Sequence, residues 1–299
     1  MATQKKGKLN SLDHSLPEGL LVDAAWLGRN GYSTALRSQY VAAGWLEQPA
    51  RGVYRRPRGE LGWELVVISL QALMDKRVAI GGRTALELQG FTHYLSRDIR
   101  EIHLYGDALP SWLEKLQLSV RFVAHRARRL FTETPQQGFG VGLSPSTISG
   151  AHLGNSAFSE QAFNNLPVRE INAELDAESL ALRPYGQWNW PLILSTPERA
   201  LLELLDEVPK RESFEQADKF MEGLTNLSPR RLRTLLTDCQ SVKVKRLFFF
   251  FADRHKHAWL KLLDKTAVDF GVGKRMLIKG GKLNRAYQIT VPEEMNAVS

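Results

Sequence analysis

The first sixty positions of the chain carry apolar residues in an order that predicts three helices followed by a hairpin. Leu9, Leu12 and Leu16 are spaced as one buried helical face, and Pro17 ends the run. Leu21, Val22, Ala25 and Trp26 repeat the pattern and predict a second helix from about Glu18 to Arg29, with Asn30-Gly31 as a left-handed stop. Ser33 is suited to cap a third helix reaching Ala43, with Leu36, Tyr40 and Ala43 inward and Thr34, Arg37, Ser38 and Val41 outward. Two β-favouring runs come next, Trp45-Leu46 and Val53 to Arg55, joined by the turn-forming Gln48-Pro49-Ala50-Arg51-Gly52.

Three helices and a hairpin in this order make a winged helix-turn-helix. Such a unit lays its third helix in the DNA major groove and rests the wing on phosphates or the minor groove. The expected contacts are therefore Ser33, Thr34, Arg37 and Ser38 of the helix, and Arg51, Tyr54, Arg55, Arg56 and Arg58 of the wing and its exit. Six arginines face one glutamate between Arg29 and Arg58, the imbalance a polyanion partner requires.

Beyond residue 60 the patterns change repeatedly. Residues 61 to 74 are apolar enough for a buried helix, and Thr84 to Leu88 begins a shorter one before Gly90. Ile102, Leu104 and Leu118 to Val123 have strand-like patterns, so the expected class is mixed α/β, a winged helix followed by a larger α/β domain. Pro197 opens a helix capped by Ser195 or Thr196 and closed by Pro209; further helices are expected over Phe214 to Gly223 and Pro229 to Asp238. Val244 to Leu263, with four consecutive phenylalanines from Phe248, predicts a helix buried on every side, and Arg285 to Val291 a final strand. The domains expected are residues 1–59 and 60–299, with a further joint in the Ser/Gly/Pro-rich interval from Thr134 to Asn155.

Charge sharpens this division. Residues 1–59 hold 9 basic and 4 acidic groups, residues 60–208 hold 13 and 18, and residues 209–285 hold 18 and 8. Two basic modules flank an acidic one, which suggests a polyanionic or acidic partner at each end. Lys274, Arg275, Lys282 and Arg285, set among glycines near the C-terminus, are candidates for the second surface, and an ordinary turn is the competing account of them. One cysteine, Cys239, excludes a disulfide framework, and no apolar run reaches bilayer length, so a cytoplasmic protein without membrane contact is expected.

Catalytic signatures do not emerge. Each Asp and Glu lacks the lysine two positions on that a nuclease metal site commonly uses, and Gly280-Gly281-Lys282 is followed by Leu283, where a phosphate loop needs Ser or Thr. His255 and His257 lie between cations, which favours a solvated or phosphate-facing pair over a metal site. Neither an enzyme nor a cofactor is expected.

Four stretches, in order, resemble the AbiEi-type antitoxins of type IV toxin–antitoxin systems. They are ARGVYRRP (Ala50 to Pro57), GGRTALELQGF (Gly81 to Phe91), STPERALLELL (Ser195 to Leu205), and VKRLFFFFADRH with DFGVGKRMLIKGGKLNRAYQITVP (Val244 to Pro292). The resemblance implies an N-terminal domain that represses the operon and a C-terminal domain that neutralises a nucleotidyltransferase-like toxin encoded nearby. The operator is expected to contain repeats, bound by a protein that is monomeric in solution or self-associates on DNA. The alternative is a stand-alone winged-helix regulator whose large C-terminal part senses a ligand or mediates assembly.

Overall fold

The computed structural model describes residues 2–57, 59–74, 76–91, 99–106, 108–132, 175–186 and 189–295. The joint expected between Thr134 and Asn155 and the wing-exit residue Arg58 lie outside these residues. The winged unit opens with α1 (Ala2–Ser15), which buries Leu12 and delivers Leu16 to the core. The chain then enters a strand where a helix was expected. β1 (Leu21–Asp23) pairs antiparallel with β3 (Val53–Arg55), Leu21 opposite Arg55 and Val22 opposite Tyr54. Two adjacent buried apolar residues look alike in a short strand and in a helical turn, so the expected helix from Glu18 is replaced by β1 and the six-residue α2 (Ala24–Arg29). Asp23 makes the switch, its Oδ1 accepting the Trp26 amide at 2.7 Å as N-cap.

Ser33 caps α3 (Thr34–Ala42), accepting the Leu36 amide. β2 (Glu47–Ala50) then turns through Arg51-Gly52 into β3, with Gly52 at φ +80° where a side chain would be strained. β3 is the middle strand of a three-stranded sheet. Trp45 and Leu46 precede β2, whose pairing starts at Glu47, and only Leu46 of the two is buried.

The body follows in the order α4 (Trp63–Ala72), β4 (Val78–Ile80), α5 (Gly82–Leu88), β5 (Glu101–Gly106), β6 (Arg121–Arg126), β7 (Leu180–Tyr185), β8 (Trp190–Ser195), α6 (Pro197–Glu207), α7 (Phe214–Gly223), α8 (Pro229–Asp238), α9 (Val242–His255), β9 (Lys282–Asn284) and β10 (Ile289–Val291). Five strands form one mixed sheet, β6-β5-β4-β8-β7, with β5/β6 and β4/β8 parallel and the other pairs antiparallel. The fold is mixed α/β. Among the described residues no helix is long and apolar enough to cross a membrane.

The seven residues Val66 to Ala72 of α4 are all buried because the helix has partners on two sides. Ser69 Oγ accepts the Leu21 amide of the winged unit at 3.0 Å. Two residues on, the Gln71 amide bridges the sheet, donating to the carbonyls of Val78 and Ile193 and accepting the Ile193 amide. That bridge supports the β4–β8 pairing at its thinnest point, where the only register partners are Ile80 and Leu194.

α6 packs against α5, α7, α8 and α9 and carries buried Glu198, Arg199 and Glu203 beside its leucines. Phe248 to Phe251 are all buried as expected, since α9 is enclosed by α6, α7, Trp259 and Phe270. The stretch expected to be helical to Leu263 breaks at Lys256, which adopts φ +52°, and resumes as a 3-10 turn over Ala258–Leu262. The final strand is shorter than expected: Ile289–Val291 pairs with Lys282–Asn284, and residues 285–288 form the turn.

Candidate nucleic-acid interface

At 3.6 residues per turn, the burial of α3 shows which side is free. Leu36, Arg37, Tyr40 and Val41 point toward the protein; Thr34, Ala35, Ser38, Gln39 and Ala42 are exposed. The stripe expected from the sequence was rotated: it took Ala43 as inward and Val41 as outward, and the structure has the reverse. Arg37 moves with it. Its Nε donates to the Tyr32 carbonyl at 2.8 Å, so it braces the turn before α3 rather than standing on the outward face. The exposed face is uncharged throughout and short-chained except at Gln39, and sequence periodicity passed over Ala35, Gln39 and Ala42.

The arginines of the wing divide into two kinds. Arg51 is exposed at the hairpin tip beside Gly52. Arg55 is buried, with Nε on Glu47 Oε2 at 2.6 Å and a terminal nitrogen on the Gly59 carbonyl at 3.0 Å. Arg56 donates to the carbonyls of Asp13 and Leu16 and forms ion pairs with Asp13 and Glu18. Tyr54 is buried in the sheet. These three residues tie β3 to β2 and to α1, which corrects the expectation that they face DNA. Ser33, Thr34 and Ser38 are exposed on or beside α3, with the Ser33 oxygen engaged as cap; Arg29, at the end of α2, is a further exposed cation. Trp45, just past α3, is 51% exposed.

A second basic surface lies at the C-terminus. Lys274, Arg275, Lys282 and Arg285 are all exposed, beside Val272 and Met276, which are 95% and 71% exposed. The loop that carries them is organised by a buried cation. Arg246 of α9 donates to the carbonyls of Phe270, Gly271, Gly273 and Gln288. Backbone bonds from Arg275 to Gln288 and from Thr290 to Arg275 then hold the loop on β10. His255 and His257 are not the solvated pair expected. His255 Nε2 lies 2.8 Å from Asp218 Oδ1, and His257 Nε2 lies 2.8 Å from the Met221 carbonyl, so both join α9 and its exit to α7.

The body also holds a buried polar network. Glu203 Oε2 accepts from the Gly82 amide and Ser195 Oγ, Glu203 Oε1 accepts from Arg199 Nε, and Tyr105 donates to the Glu203 carbonyl. A Cβ on Gly81 would sit 2.2 Å from Glu203 Oε2 and 2.4 Å from the Tyr105 ring, so the glycine pair is required by close approach. On the adjoining strands His103 and His125 face each other, and Glu207 lies 3.3 Å from His125 Nδ1. Burial, then the neighbouring His125, lowers the His103 imidazole to about 4, and burial raises Glu212 to about 7 despite Arg83 at 3.6 Å. Burial also raises the Cys239 thiol to about 11, which leaves it a packing residue. Among the described residues no cluster of His, Cys, Asp and Glu is arranged to hold a metal.

Two family models match the chain. The one described as "Transcriptional regulator, AbiEi antitoxin N-terminal domain" matches residues 5–97, and the one described as "Transcriptional regulator, AbiEi antitoxin, Type IV TA system" matches residues 155–292. No curated protein matches. Among solved structures the chain is similar to the RV2827C protein from Mycobacterium tuberculosis, with a TM-score of 0.52 over 96% of this chain and 90% of that one. The two are 14% identical, and the likeness is one of fold.

Proposed function

Because the chain belongs to the AbiEi antitoxins, transcriptional regulators of type IV toxin–antitoxin systems, we propose that it represses its own operon in the cytoplasm and neutralises a nucleotidyltransferase-like toxin encoded nearby. The observation that carries the first half is that the winged unit presents both an exposed, unpartnered face of α3 and an exposed cation, Arg51, at the tip of the wing. An α-helix fits the major groove, and phosphate contacts from flanking cations set its register there. Thr34 and Ser38 face the groove in this arrangement, and Arg51 and Arg29 meet the backbone on either side. Arg37, Arg55 and Arg56 act indirectly, Arg37 by bracing the turn before α3 and the other two by holding the wing strands together and onto α1.

One such unit buries only about 600 to 1,000 Å² against DNA, which supports an operator with repeated half-sites and one chain on each. The second half of the proposal rests on family membership and on the exposed C-terminal cations. Lys274, Arg275, Lys282 and Arg285 are placed to meet an acidic surface of the toxin, with Val272 and Met276 adding apolar contact. The test has two arms. A mobility shift and footprint on the promoter duplex should show protection of repeated half-sites, lost in Arg51→Ala at physiological salt. Co-expression with the neighbouring toxin should restore growth, and Lys274→Glu with Arg275→Glu should abolish the rescue while leaving the footprint intact. A protein that shifts no promoter duplex, or a charge-reversed variant that still rescues, contradicts the corresponding half.

A further inference from the structure

The exposed face of α3 is unusual in what it lacks. Its centre is occupied by the methyl groups of Ala35 and Ala42, with Thr34 and Ser38 on one flank and Gln39 on the other. Arg37, the helix's one cation, is held away by the Tyr32 carbonyl. Four short side chains let the helix axis approach the base edges closely, and they leave a single side chain long enough to span a base pair. That side chain ends in a carboxamide, with a donor and an acceptor side by side. In the major groove this pair matches adenine, whose N6 donates and N7 accepts, and it matches no other base bidentately. Methyl groups at the centre of the same face are the complement of the thymine C5-methyl.

We infer that Gln39 is the specificity-determining residue of α3 and reads an adenine in each half-site, with Ala35 and Ala42 against thymine methyls beside it. This rests on the winged helix being the DNA reader. Charge and reading are then separated on the molecule: Arg29 and Arg51 supply salt-dependent attraction without sequence preference, and an uncharged face supplies the discrimination.

The full-length protein would be used to select bound duplexes from a library with a randomised central segment. The wild type should enrich a site containing an invariant A·T pair. Gln39→Ala should lose roughly 5- to 150-fold discrimination at that pair and keep its preferences elsewhere. Gln39→Arg should select G·C at the same position, since a guanidinium pairs with guanine O6 and N7. Gln39 is exposed, so an unchanged thermal midpoint for both variants checks that folding is intact. Two outcomes overturn the inference while the DNA-binding proposal stands: Gln39→Ala selecting the same site as the wild type, or losing affinity equally for every duplex, as a phosphate contact would. A wild type that binds the library without enriching any sequence overturns it too. A wild type that binds no duplex at all removes the DNA-binding proposal beneath it.

Discussion

His103 Nδ1 lies 3.0 Å from His125 Nε2, so two imidazoles on adjacent parallel strands share one proton between facing nitrogens. The other nitrogen of His125 faces Glu207 Oε1 at 3.3 Å. A carboxylate only accepts, which puts a proton on His125 Nδ1; in the tautomer that leaves Nε2 bare, Nε2 accepts and His103 donates through Nδ1. The Tyr105 ring, stacked on His125 with centroids 4.3 Å apart, covers the pair, and Glu101 and Arg211 complete the charged surroundings. The arrangement keeps the His103 ring neutral, and its energetic consequence is a dependence on pH.

The folded protein keeps His103 near 4 against an ordinary 6.5, so the unfolded chain takes up its proton first. Stability from the neutral ring is complete above pH 6.5 and is lost as the pH falls from 6.5 toward 4. A displacement of that size is worth about 3 kcal/mol at most. Denaturant melts of His103→Gln across this range should show a flatter acid limb than the wild type; parallel limbs would refute the assignment.

Glu212 has the opposite sign. Burial lifts its carboxyl from an ordinary 4.5 to about 7, so the folded state holds the proton more tightly than the unfolded one. Its destabilising effect grows as the pH rises from 4.5 through 7 and is complete above that, again about 3 kcal/mol at most. Glu212→Gln should match the wild type near pH 4.5 and exceed it at pH 8, as read from paired urea midpoints. Equal midpoints at pH 8 would show that Arg83 compensates the charge.

Gly81→Ala is expected to destabilise strongly for its size. The added methyl falls on Glu203 Oε2 and the Tyr105 ring, both themselves bonded into the core, so relief requires breaking the network. Overpacking of this kind costs about 1 to 3 kcal/mol. Gly273→Ala is the control for composition, since nothing lies within 4 Å of its missing Cβ, although its φ of +79° adds modest backbone strain. Calorimetry should rank Gly81→Ala well below Gly273→Ala, and the reverse order would contradict the role given to Glu203.

Arg51 and Arg56 should separate binding from folding. Arg51→Ala should leave the melting temperature unchanged and lower the slope of log affinity against log salt by about one. Arg56→Ala removes contacts to two carbonyls and two carboxylates that join β3 to α1, and should lower the melting temperature. Its ion pairs are partly exposed and worth only about 0.2 to 1 kcal/mol each, so the effect should stay modest. A salt slope that changes in Arg56→Ala without any change in melting would place that side chain on DNA after all.

Arg246→Met should loosen the C-terminal loop selectively. The carbonyls of Phe270, Gly271 and Gly273 lose their guanidinium donor at once and that of Gln288 keeps only the Arg275 amide, and hydrogen bonds to a charged group are worth about 1.5 to 3 kcal/mol each. Hydrogen exchange should accelerate between Phe270 and Val291 while the five-stranded sheet keeps its protection. Acceleration spread evenly over the body would mean that α9 itself had failed.

How much of this could be read in the sequence depended on how local the cause was. α7 and α8 follow the expected bounds because Ser213 and Ser228 cap them and their apolar faces are periodic. β1 was missed because its strand character comes from β3, thirty residues on, and two neighbouring leucine and valine side chains carry no period. On α3 the error was a small rotation, caused by crediting Ala43 with a core position, and it was enough to turn Arg37 outward and overlook Gln39. Arg55 and Arg56 have a composition that suggests DNA; their partners Glu47, Asp13 and Glu18 are distributed over β2, α1 and the approach to β1, where only the fold brings them together. The STPERALLELL stretch was visible as a helix opened by Pro197, but Thr196 stands at its N-cap without a side-chain bond, Ser195 turns to Glu203 instead, and the reason for that buried Glu203 lies also on Gly82, more than a hundred residues earlier.

Ser69 and Gln71 stand two residues apart on α4, one bonded to the winged unit and the other to the sheet. A helix gripped from both sides acts as an axle. The Leu21–Ser69 bond couples the winged unit directly to that axle, so in the proposed mode of binding the angle at which α3 meets the duplex would also set where the body stands along it. In that proposed mode, two chains on neighbouring half-sites would arrive with their C-terminal surfaces already aimed, and adding or removing a few base pairs between the sites would swing those surfaces around the helix axis without altering any contact to DNA.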